Sequence, residues 1–69
     1  MKPNKPEDTS VEALIHTLAH DRDPVARKHA AEALGRLTAT KAREALEKAM
    51  RDPDVGVANA ARAALKQIG

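Results

Sequence analysis

The sequence predicts an all-α fold, an α-solenoid of two helix-turn-helix repeats with four helices. Three observations carry this. Apolar residues recur at helical spacing, first as Val11, Leu14, Ile15 and Leu18, one stripe on one face. The stretch Asp21 to Leu37, DRDPVARKHAAEALGRL, returns in weaker form as Asp52 to Ile68, DPDVGVANAARAALKQI, an offset of 31 residues. There is no Phe, Trp or Tyr, so the core must come from Leu, Ile, Val, Met and many Ala. The offset maps Asp21 to Asp52, Asp23 to Asp54, Ala30 to Ala61, Leu34 to Leu65 and Leu37 to Ile68. It also maps Val11, Leu14, Ile15 and Leu18 onto Ala42, Ala45, Leu46 and Ala49. A helix pair of this period is the signature of stacked repeats. A plain four-helix bundle explains the stripes but not the matching acidic turns.

In chain order, residues 1–9 read as a flexible tail, because Pro3 and Pro6 interrupt helix and little there is apolar. Residues 10–69 form the domain, with repeat 1 at about 10–38 and repeat 2 at about 40–69. The first helix is expected to begin after Thr9 or Ser10, with Thr9 and Glu12 as a capping box. It stops near His20, and Asp21-Arg22-Asp23 turns the chain. Asp23-Pro24 opens the second helix, since Asp caps it and Pro suits its first turn. Ala26, Ala30, Ala33, Leu34 and Leu37 are expected inward, with Gly35 allowing a close backbone approach. Thr40 is expected to cap a third helix over about 41–51, with Ala42, Ala45, Leu46, Ala49 and Met50 on one face. Asp52-Pro53-Asp54 is the next turn. The fourth helix runs from about Val55 to Ile68, with Val57, Ala61, Ala64, Leu65 and Ile68 inward.

Composition removes several function classes. The 69 residues contain no Cys, so disulfides and thiolate metal sites are excluded. The net charge of +2 is mild, and Lys and Arg alternate with Glu and Asp, a solvated surface more than a nucleic-acid footprint. No apolar run approaches a membrane span and no leader is visible, so a soluble, cytoplasmic protein is expected. Ser10 is the single Ser and reads as a cap, so acyl chemistry has no nucleophile. Gly35, Gly56 and Gly69 are scattered and make no phosphate loop.

The pattern Asp21-Arg22-Asp23-Pro24, Arg27 and Ala30-Ala31-Glu32-Ala33-Leu34-Gly35 resembles the short HEAT-like repeats first noted in bilin lyases. The resemblance covers Val11 to Gly69. The second unit departs from it, with Lys66 at the Gly35 position and Ala58 at the Arg27 position. The resemblance implies that Arg27 pairs with the turn Asp of the following repeat, Asp52 or Asp54. It also implies a concave face built from second helices: Val25, Lys28, His29, Glu32 and Arg36, then Asn59, Ala60, Ala63 and Gln67. Deoxyhypusine hydroxylase, built from similar repeats, holds iron through His-Glu dyads. Here Lys28-His29 and Asn59-Ala60 occupy that place, so no metal and no cofactor is expected.

The function these features imply is a noncatalytic protein-protein interaction or adaptor module. Its partner is an unidentified protein or its own copy, since two repeats leave two open flanks and strong caps are not evident. Val11, Leu14 or Leu18 would be bare at one end, and Met50, Val55 or Ile68 at the other. The alternative from the resemblance is a part of a bilin-type lyase, with His29 or Arg27 touching a tetrapyrrole. A further alternative is weak nonspecific nucleic-acid binding, against which stands the lack of any aromatic to stack on a base.

Overall fold

Two antiparallel helix pairs stack side by side. The helices are α1 (Pro6–His20), α2 (Pro24–Arg36), α3 (Arg43–Ala49) and α4 (Val55–Ile68), and a 3-10 turn at Thr40–Ala42 leads into α3. The computed structural model describes the backbone of residues 6–69 and the side chains of residues 10–69. α2 packs on α1 within its own repeat and more extensively on α4 across the seam, while α3 packs on α4 and α1. The result is two layers, α1 with α3 and α2 with α4.

Both acidic turns are built alike. The Asp23 backbone N–H donates to Asp21 Oδ1 at 2.8 Å, and the Asp54 N–H donates to Asp52 Oδ1 at 2.8 Å. The second Asp of each turn then caps the next helix. Asp23 Oδ1 accepts from Val25 N–H at 2.9 Å, and Asp54 Oδ1 accepts from Val57 N–H at 3.1 Å. Both caps are extended, with φ/ψ of −84°/115° and −87°/122°. The short polar side chains thus satisfy donors that helix starts leave open.

Three boundaries differ from the sequence expectation. α1 starts at Pro6, so Thr9 lies inside the helix and the Thr9–Glu12 capping box does not mark its start. Proline is disruptive inside a helix but compatible with its first turn, which is where Pro6 falls. Residues 1–5 of the expected tail lie outside the described residues. α3 is shorter than residues 41–51, and Thr40 is not its cap. No side chain caps this start, and the chain tightens instead, with the Ala42 N–H donating to Ala39 O at 2.8 Å. The end of α3 falls ahead of Asp52, whose following Pro53 disfavours a helical conformation at that position.

α2 ends in a Schellman motif. The Ala39 N–H donates to Leu34 O at 3.1 Å and the Thr38 N–H to Gly35 O at 2.9 Å. Thr38 is left-handed, with φ 46°. Its counterpart 31 residues on is Gly69, with φ 90°, so each second helix ends in the same backbone region.

The core is mostly alanine. Among the described residues twelve apolar ones are buried, and of these only Leu18, Leu34, Leu46 and Val57 are large. Small residues let the helices approach closely, and the seam shows how closely. A Cβ built on Gly35 would lie 2.8 Å from Ala64 Cα and would also strike Gln67 Oε1. Some expected inward positions are not inward. Leu37 is 48% exposed and Met50 37% exposed, because each lies at or beyond a helix end where the chain turns away. Leu18, expected bare at an open end, is only 3% exposed, since α2 and α3 both reach α1 there.

Candidate functional site

Arg27 is the side chain that ties the repeats together. Its Nε donates to Asp52 Oδ2 at 2.8 Å, and its Nη2 to Asp52 Oδ1 at 3.0 Å. Its Nη1 donates to the Asp21 carbonyl at 2.8 Å, which fixes the fork to its own turn as well. The guanidinium therefore spans both acidic turns. Asp54, the other candidate partner, is occupied as the α4 cap. The side chains of Arg27 and Asp52 are 16% and 10% exposed, so water screens this pair less than a surface pair. The hydrogen bond from Arg27 holds the Asp52 carboxyl below its ordinary pKa of 3.8, against the opposing effect of burial. The same bond raises Arg27. A second, exposed link crosses the repeats on the outer layer, from Lys41 Nζ to Glu12 Oε2 at 3.0 Å.

The α2–α4 layer carries most of the candidate face. Lys28, His29, Arg36, Asn59, Ala63 and Gln67 are exposed, Val25 is 55% exposed, and Glu32 is half-buried. Ala60 differs: it is 8% exposed and forms floor rather than rim. It is buried because it faces the neighbouring repeat, as its residue size allows. Glu32, Arg36, Ala60, Ala63, Ala64 and Gln67 surround a shallow groove of about 300 Å³. Its floor is alanine and its walls carry one carboxylate, one guanidinium and one carboxamide. That arrangement suits a partner's side chain or helix edge, with polar groups to fix its register.

A second groove, of about 440 Å³, lies on the outer layer between α1 and α3 and includes Ile15, Ala19, Glu44, Lys48 and Asp52. Asp52 in its wall is already engaged by Arg27. His16 and His20 stand one turn apart on α1, with ring centroids 4.7 Å apart and both rings exposed. Among the described residues, no group of three or more His, Asp or Glu is placed to hold a metal ion. No helix among them is long and apolar enough to cross a membrane.

Sequence reasoning missed two parts of this surface. One is the contact from Arg27 to the Asp21 carbonyl, a backbone acceptor that residue types do not reveal. The other is the burial of Ala60, which the counterpart position, exposed His29, conceals.

A layer of paired helices, repeated by a fixed offset and locked turn to turn, defines an α-solenoid. The family model for HEAT repeats matches residues 4–69, nearly the whole chain, and the chain belongs to the HEAT-repeat family. That match carries the repeat family and not the bilin-lyase kind. No curated protein and no solved structure matches the chain.

Proposed function

We propose that this protein is a noncatalytic adaptor that receives another protein on its α2–α4 face. HEAT repeats generally mediate protein-protein interaction. The observation that carries the reading for this chain is the open alanine-floored groove flanked by Glu32, Arg36 and Gln67. It sits on a seam held by Arg27 and Asp52, so the face is presented on a rigid support. A tetrapyrrole-lyase role has less support. Arg27, one of its two contacts, is committed to Asp52 and to the Asp21 carbonyl. Nucleic-acid binding is weakened by Glu32, which stands between Lys28 and Arg36 on the same helix.

The test places a photo-crosslinking residue at Ala63, in the groove, and at Glu47, on α3, in cells that make the protein. A protein adduct specific to position 63 and lost with Arg36→Glu is the expected result. Equal adducts from both positions, or none from either, would remove the assignment of this face.

A further inference from the structure

The two ends of the stack are not equivalent, and the 31-residue offset shows how. At the seam, repeat 1 offers Arg27, Ala31 and Gly35. Ala31 is fully buried, and Gly35 meets Ala64. The counterparts on the outer side of repeat 2 are Ala58, Arg62 and Lys66. Arg62 and Lys66 are exposed, and Arg62 Nη1 bonds Asn59 Oδ1 at 3.1 Å to form a polar surface. A further unit stacking there would have to bury two cations and would find no arginine for its turn. The outer side of repeat 1 is the reverse among the described residues. Repeat 2 meets α2 with Ala64 and the turn acid Asp52, and the counterparts Ala33 and Asp21 remain in repeat 1. Ala26 and Ala33 are half-buried, and Val25 and Leu37 beside them are 55% and 48% exposed.

Asp21 has the backbone arrangement of Asp52, with the same 2.8 Å bond from the residue two on. At Asp52 that arrangement receives a guanidinium. We infer that the α1–α2 end is a docking surface for a two-helix unit borne on another protein. That unit presents an arginine to Asp21 as Arg27 is presented to Asp52. Charge complementarity and the seam within the chain itself define the occupant. A second copy does not meet the requirement, because its stacking end carries Ala58, Arg62 and Lys66. This inference goes beyond the α2–α4 face and does not depend on it.

The test supplies the unit in cis on the full chain. One variant joins residues 1–39 to residues 9–69, so the added Arg27 faces the chain's own Asp21. A second joins residues 1–69 to residues 39–69, so the added unit meets Arg62 and Lys66. The first is expected to melt in one cooperative transition, about 5 °C or more above the natural chain. The second is expected to leave the transition unshifted, with the added unit unfolded. Asp21→Asn keeps an oxygen for the Asp23 N–H and removes the charge. At the junction it is expected to lower the melting temperature of the first variant by more than it lowers that of the natural chain, where the Asp21 charge faces Arg27. No gain in the first variant, or equal gains in both, would overturn the inference. So would a natural chain that sediments as a dimer whose association is lost with Val25→Glu.

Discussion

Replacing Gly35 by Ala tests the repeat seam at its tightest point. The added methyl would lie 2.8 Å from Ala64 Cα and 2.9 Å from Ala64 Cβ, with Gln67 Oε1 closer still. The Gln67 amide can rotate away, but the α4 backbone cannot. Ordinary contact begins near 3.4 Å, so α4 must retreat by about 0.6 Å along its closest approach. Overpacking of this kind costs about 1–3 kcal/mol. Alanine is better than glycine inside a helix by about 0.5–1 kcal/mol, which offsets part of it. The net loss from these terms is about 0–2.5 kcal/mol, centred near 1 kcal/mol, or a fall in melting temperature of about 4–8 °C at that centre for a domain of this size. Thermal unfolding followed by circular dichroism reads this directly. Lys66→Ala, at the exposed counterpart position, should stay within about 0.5 kcal/mol of the natural chain. A Gly35→Ala variant that melts higher would show that propensity outweighs the contact, and the argument for a close seam would fail.

Other outcomes follow from the same geometry. Thr38→Gly should stabilise by about 0.5–1 kcal/mol, because a β-branched residue holds the left-handed position that Gly69 fills in repeat 2; chemical denaturation would show it as a higher midpoint. Leu34→Ala should cost about 2–5 kcal/mol, whereas Leu37→Ala, at a half-exposed position, should cost far less by the same assay. Arg27→Lys should lower the melting temperature, because an ammonium cannot hold both Asp52 oxygens and the Asp21 carbonyl in one plane. The Asp52 carboxyl titrates lower in the folded chain than its ordinary 3.8. Its contribution is therefore present above that value and lost as pH falls through the lower folded value. The difference in stability between the natural chain and Asp52→Asn should be constant near neutrality and shrink as the solution is acidified below about pH 4.

The periodic and the repeated parts of this fold were legible in the sequence. Asp23 and Asp54 mark helix starts because an acid before a helix has one local use. α4 runs from Val55 to Ile68, where its apolar stripe places it. The start of α1 was not legible, since Pro6 reads equally as a breaker and as a first-turn residue. The start of α3 was hidden for a different reason: a tightened turn replaces a side-chain cap, and Thr40 resembles the cap that is absent. Within the candidate face, Lys28, Arg36 and Asn59 were named by the family resemblance and the 31-residue offset, and all three are exposed. Ala60 is not, because its burial depends on the neighbouring repeat and not on its own helix. The inequality of the two ends was written in the sequence as Ala31 against Arg62 and Gly35 against Lys66. Its meaning needed the seam, which shows that Ala31 and Gly35 are covered.

If the chain keeps its surfaces for a different protein, as proposed, it does not stack on itself. Sedimentation equilibrium of the natural chain, from micromolar to millimolar concentration, tests it most directly. The expected mass is that of one chain throughout, with a cooperative thermal transition in the same buffer. A mass that grows steadily with concentration, as head-to-tail stacking requires, would contradict it.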